Sequence, residues 1–284
     1  MLHRLTERFI YMPADGSVDR PILGAVLGDE RTLYVDAGNS KRHAAAFREA
    51  LRAQTDVRSP ATALTHWHWD HVFGAAYERT ELVAHRETRT ALERLVGLDW
   101  SDEALDARVA AGTEIAFCAE YIKKEYGDGP RDVDIALPDA TFDQRLALDL
   151  GGVSCVVEHV GGVHAADSCV MYVPEERVLF LGDALGPAIY DGPRYYDAAD
   201  LLRLLDRIAG FRADWFIESH HVPVTAATFW AEMDEYRALA ELTLTHGDDR
   251  ERIEAEFAVR LGRALGDAET EAIEQFLVGE RRRR

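Results

Sequence analysis

Short apolar runs bounded by turn residues dominate the first part of the chain. Phe9-Ile10-Tyr11, residues 22–27 and residues 32–35 are separated by Asp15-Gly16 and Gly28-Asp29-Glu30, which predicts antiparallel strands joined by tight connections. Ser40 can cap a helix whose apolar stripe runs through Ala44, Phe47 and Leu51, and residues 61–65 then read as a short buried strand. A helix is predicted after His71, a short strand over 82–84, and helical apolar spacing from Glu87 to about Glu125, closed by Gly127, Gly129 and Pro130. Between Leu146 and Leu181 the pattern returns to β, with runs at 146–148, 153–160, 169–173 and 178–181. Helix is predicted again over 198–208, a last strand over 214–218, and helices from Thr225 to the end, broken near Gly247-Asp248-Asp249 and Gly266-Asp267. No repeat of fixed period is present. This order predicts two sheet-forming halves packed face to face with helices outside.

Composition narrows the class of protein. Hydrophobic residues make up 47% of the 284 and charged residues 29%, a balance that fits a globular domain with a full core rather than a disordered chain. Acidic residues outnumber basic ones 51 to 32, and a formal charge of −19 repels a phosphate backbone, so nucleic acid is not an expected partner. The basic run Arg281-Arg282-Arg283-Arg284 reads as a solvated tail. Cys118, Cys155 and Cys169 are too widely spaced for a disulfide framework or a zinc ribbon, and are expected to be buried fillers in a reducing cytoplasm. No stretch approaches about 18 uncharged apolar residues, so neither a membrane span nor an export segment is predicted, and the location expected is cytoplasmic.

The chemistry is concentrated in Thr65-His66-Trp67-His68-Trp69-Asp70-His71. In an extended loop His66 and His68 point to the same side and can reach one ion, and the turn that follows offers Asp70 and His71 in another direction. One short segment can thus serve two metals. Imidazole with carboxylate suits zinc, and manganese or iron also fits. Trp67 and Trp69 alternate with the histidines and should make wall or core contacts instead. His85 and His159, near strand ends, read as structural.

The pattern His66-x-His68-x-Asp70-His71 resembles the signature of the metallo-β-lactamase-fold hydrolase superfamily, with a metal site of the glyoxalase II or lactonase kind. The resemblance runs over about residues 22–223. It implies a four-layer αββα sandwich in residues 1–225, a helical cap inserted at about 86–130, and a helical extension over 226–284 that packs on the same domain or forms a homodimer interface. Asp36 in Val35-Asp36-Ala37-Gly38 matches the aspartate that supports the metal loop from behind. His164, after Gly161-Gly162-Val163, would join His66 and His68, and Asp183, ending the strand Val178-Leu179-Phe180-Leu181-Gly182, would bridge two ions. In Glu218-Ser219-His220-His221-Val222-Pro223 the last ligand aligns with His220, and His221 is the alternative. Tyr190 and Tyr195, in the loop after Asp183, could donate a phenol to a substrate oxygen.

The resemblance implies a hydrolase holding two divalent ions, zinc first, with Asp70 also orienting the attacking water or passing on its proton. The family acts on lactones, thioesters, β-lactams, sulfate esters and phosphodiesters. A redox di-iron member would carry glutamate in place of His68, and a true β-lactamase would usually lack the aspartate matched by Asp183. A small-molecule ester, lactone or thioester is the leading expectation. A phosphodiester is the runner-up, and a non-catalytic metal-binding or regulatory protein of the same fold is the alternative of a different class.

Overall fold

A computed structural model describes residues 1–129, 131–190 and 192–283; Pro130, expected at a turn, and Arg284 of the basic run lie outside the described residues. The first sheet is laid down in chain order: β1 (His3–Arg4), β2 (Phe9–Met12), β3 (Leu23–Leu27), β4 (Thr32–Val35), β5 (Ala61–Ala63), β6 (Glu81–His85) and β7 (Ala140–Phe142). Pairing is antiparallel from β1 to β4 and parallel from β4 to β7, where helices make the crossovers. The second sheet holds β8 (Arg145–Asp149), β9 (Ser154–His159), β10 (Cys169–Val173), β11 (Val178–Gly182), β12 (Trp215–Glu218) and β13 (Val224–Thr225), ordered β13-β12-β11-β10-β9-β8.

Alternation along the strands decides the layering, because successive side chains leave opposite faces of a sheet. Phe9, Val26, Leu33 and Val35 of the first sheet meet Cys155, Val157, Met171 and Phe180 of the second in the central core. Their neighbours Ile10, Ala25 and Tyr34 face outward onto Phe47 and Leu51 of α1 (Lys41–Arg52), which Ser40 caps by accepting from the His43 amide. In β11 both faces are covered, which explains its unbroken apolar run: Val178 and Phe180 point inward, while Leu179 and Leu181 meet helices. The result is the four-layer αββα sandwich expected.

Ahead of the second half come a four-residue helix α2 (Trp69–Val72) and the inserted helices α3 (Arg86–Glu93), α4 (Asp102–Ala110) and α5 (Ala116–Tyr126). The stretch with continuous helical spacing is thus three helices. Gly97 (φ +77°) and Gly112 (φ +72°) occupy left-handed backbone between them, which no helix can pass through. Leu92, Trp100, Leu105, Cys118 and Ile122 of the insertion pack on Trp69, Val72 and Phe73 of the metal loop. After α6 (Ala198–Ile208), the helices α7 (Ala226–His246), α8 (Arg250–Leu261) and α9 (Asp267–Arg283) cover the outer face of the second sheet, where Phe229 stacks on Phe216 at 4.1 Å and Phe276 on Tyr196 at 5.0 Å.

A buried acid fastens the insertion to the sandwich. Glu125 of α5 is fully buried and accepts a forked pair from Arg20 (3.0 and 2.8 Å) and the Ser40 hydroxyl (2.6 Å), with Arg42 beside it. These cations hold its carboxyl below its ordinary range although burial works the other way. Cys118, Cys155 and Cys169 are buried free thiols. No helix among the described residues is long and apolar enough to cross a membrane.

Candidate metal centre

Apart from Asp70 and His71, the donors singled out from the sequence stand in loops that follow strands, along one edge of the sandwich. Asp36 follows β4, His66 and His68 follow β5, His164 lies between β9 and β10, Asp183 follows β11, and His220 follows β12. Asp70 and His71 lie inside α2, one turn beyond His68, so the short helix redirects the chain between the two groups of donors.

Asp36 organises the loop from beneath. Its Oδ1 accepts the Thr65 amide at 2.7 Å, and its Oδ2 accepts the Thr65 hydroxyl at 2.9 Å and His71 Nδ1–H at 2.8 Å. These bonds hold Asp36 in left-handed backbone (φ +60°), which a side chain ordinarily avoids. His66 Nδ1 lies 3.0 Å from the same threonine hydroxyl, and His164 Nδ1–H donates to the Pro187 carbonyl at 3.0 Å. With their protons on Nδ1, His66 and His164 present bare Nε2 atoms. The Nε2 atoms of His66, His68 and His164 are buried without a hydrogen-bond partner, whereas His71 Nε2 lies 3.0 Å from Asp70 Oδ2. Orphaned acceptors of this kind are costly unless something electropositive satisfies them, and a divalent cation does.

The donors converge as two groups: His66, His68 and His164, and Asp70, His71, Asp183 and His220, with ligand atoms inside each group within 4.8 Å of one another. Asp183 Oδ2 lies between them, 3.6 Å from His164 Nε2, 3.5 Å from His71 Nε2 and 3.3 Å from His220 Nε2. His220, rather than the exposed His221, is the ring brought to Asp70, at 3.2 Å. Burial pushes His66, His68 and His164 below the usual histidine value, so they are neutral bases. For His71 and His220 burial works in the same sense but is outweighed: Asp70, Asp183 and Asp36 raise the first, and Asp183 and Asp70 raise the second.

The site opens into a cavity of about 260 Å³ with apolar walls from Trp69, Phe117, Pro187 and Ile189. Asp19, Arg194 and Glu218 also line it, and sequence reasoning singles out none of the three. Glu218 is discernible as an acid ending an apolar strand; Asp19 and Arg194 carry no local signal. Burial pushes the Glu218 carboxyl up to about 7, with Glu232 and Asp183 adding to the effect. Tyr190 packs its ring on His68 and Trp67, each at 5.1 Å, and directs its hydroxyl to Cys118 Sγ at 3.5 Å. Tyr195 lies in a different groove, its ring under the Arg282 guanidinium at 4.4 Å. His85 and His159 stack face to face at 3.9 Å, donating to the Asp143 and Ala166 carbonyls, apart from the two donor groups.

Among curated proteins none matches the chain. Solved structures do. The stereoselective inverting sec-alkylsulfatase Pisa1 from Pseudomonas sp. superposes with a TM-score of 0.67 at 15% identity, covering 99% of this chain and 50% of its own, so this chain spans about half the length of that enzyme. A metallo-beta-lactamase family protein from Thermus thermophilus gives 0.58 at 19% identity, covering 98% and 91%. A metallo-beta-lactamase from Pontibacter korlensis gives 0.52 at 17%, covering 84% and 98%. At these identities the likeness is one of fold. The model of the metallo-beta-lactamase superfamily matches residues 24–220, which takes in all the donors described above, and the chain belongs to that superfamily of hydrolases.

Proposed function

We propose that this chain is a two-metal hydrolase acting on a small carboxylic ester, lactone or thioester. The observation that carries the reading is the paired donor set, with three neutral imidazoles on one side, a carboxylate-rich quartet on the other, and Asp183 Oδ2 within 3.6 Å of both. When bound, the metal ions, with zinc the best fit to histidine and carboxylate, supply Lewis acidity and bring the pKa of water down to about 7. His66, His68 and His164 would hold one ion, and Asp70, His71 and His220 the other, with Asp183 shared. The chain's own contribution is positioning. Asp36 fixes His71 directly and His66 through Thr65, and Asp70, at the cavity wall, is placed to orient the attacking water and accept its proton. The apolar walls from Trp69, Phe117, Pro187 and Ile189 suit the hydrocarbon part of an uncharged acyl substrate.

The test is a panel of aryl and alkyl esters, lactones, thioesters, a secondary alkyl sulfate and a phosphodiester, offered to chain loaded with zinc, manganese or iron and assayed for metal content. Turnover of an acyl substrate at two equivalents of metal is expected. Turnover confined to the sulfate or the phosphodiester would overturn the substrate class. Two bound ions with no turnover anywhere in the panel would favour a binding or regulatory role.

A further inference from the structure

We propose that Asp19 is a positioning residue of this centre: its carboxylate faces the Nδ1 edge of His220 at ion-pair distance and holds that ring with Nε2 turned toward Asp70 and Asp183. The inference rests on the two-metal reading and adds to it a residue upstream of the matched segment 24–220. An imidazole that gives Nε2 to a cation carries its proton on Nδ1, and a carbonyl, hydroxyl or carboxylate must take that proton for the ring to stay in place. His71 has Asp36, His66 has Thr65 and His164 has the Pro187 carbonyl. On the far side of His220 the group at hand is Asp19, with Oδ1 3.7 Å from Nδ1, an ion-pair separation longer than the hydrogen bonds of the other three rings.

The backbone around Asp19 is arranged to keep it there. Asp19 sits in left-handed conformation (φ +55°), which its Cβ disfavours and which only an over-determined loop sustains. Three attachments supply that determination. The Asn39 amide donates to the Val18 carbonyl at 2.9 Å and the Asp19 carbonyl at 3.4 Å. Arg20 forks onto buried Glu125. Ile22 N donates to the carbonyl of Ser219, the residue before His220, at 2.7 Å. The turn that carries Asp19 is therefore tied to the loop that precedes α1, to the inserted helix α5 and to the His220 loop itself. A loop fastened at that many points, with an acid in unfavourable backbone facing a donor histidine, has the construction of a support.

The deciding experiment measures metal rather than turnover. Glycine suits left-handed backbone, so Asp19→Gly removes the carboxylate while relieving the conformational strain, and the metal-free variant should melt no lower than wild type. Zinc titrated in competition with a chromophoric chelator should show one of the two sites weakened by about 10–100-fold in Asp19→Gly, with the other unchanged. Asp19→Asn, which keeps an oxygen facing Nδ1, should recover most of the loss. Asp19→Gly added to His220→Ala should cost nothing further. A wild-type chain holding a single ion would overturn the two-metal reading instead. Equal affinity of wild type and Asp19→Gly for every ion bound would overturn the role of Asp19, as would full additivity with His220→Ala.

Discussion

The two donor groups share an edge and a carboxylate, yet they handle charge in opposite ways. His66, His68 and His164 are driven neutral by burial, and their Nε2 atoms have no partner. In the other group the acids keep their charge and the histidines take up protons: Asp70 and Asp183 stay below the usual carboxylate range despite burial, while His71 and His220 rise above theirs. The difference teaches that the two groups would receive an ion differently, one through neutral imidazoles and the other in exchange for protons.

The sharpest way to break this comparison is at the atom both groups share. Asp183→Asn should lower turnover by about 10²–10³-fold, the range for losing one preorganised electrostatic group. Metal content should fall with it from two equivalents toward one, read by elemental analysis. A variant that keeps both ions and full activity would mean that Asp183 serves neither group. Asp36→Ala removes the acceptor beneath His71 and, through Thr65, beneath His66, so metal affinity should drop about 10–100-fold at both sites rather than one. Loss at a single site, seen in the same chelator competition, would show that Asp36 serves one group alone.

The gentlest probe is pH. His71 and His220 have raised values, so near neutrality the quartet holds protons that an ion must displace, whereas His66 and His68, with lowered values, have none to give. Affinity at the quartet should therefore rise with pH, about tenfold per unit for each proton released, while affinity at the triad stays level over the same interval. Calorimetry in buffers of different ionisation enthalpy counts the protons. Equal release at both sites would erase the distinction between the groups.

What can be read from the chain and what cannot divides along sequence distance. His66 to His71 falls within six residues and is legible as a metal site by itself, and the order of strands and helices predicts two sheets packed face to face, whereas Asp36, His164, Asp183 and His220 become site candidates only through the family resemblance. The insertion is legible as helical but not as three helices, because isolated Gly97 and Gly112 do not by themselves announce a break. Asp19 is invisible for a stronger reason. Its place is set by Asn39, by Arg20 on Glu125 and by Ile22 on Ser219, contacts between residues far apart in the chain that leave no trace in the residues beside it. Tyr190 and Tyr195 show the same limit: both follow Asp183 closely, but one turns to Cys118 and the other to Arg282 of the last helix.

Gly182, the residue before Asp183, sits in left-handed backbone (φ +59°), and a Cβ there would come within 2.9 Å of the Thr65 Cβ. Thr65 belongs to the first sheet's metal loop and Gly182 to the second sheet, so at this point the two halves of the sandwich touch almost backbone to side chain, with nothing between them. The missing side chain acts as a gauge block. It sets how far apart the histidines supplied by one half and the aspartate supplied by the other can stand, and an alanine at this position would change the bore of the metal centre without altering any group that binds.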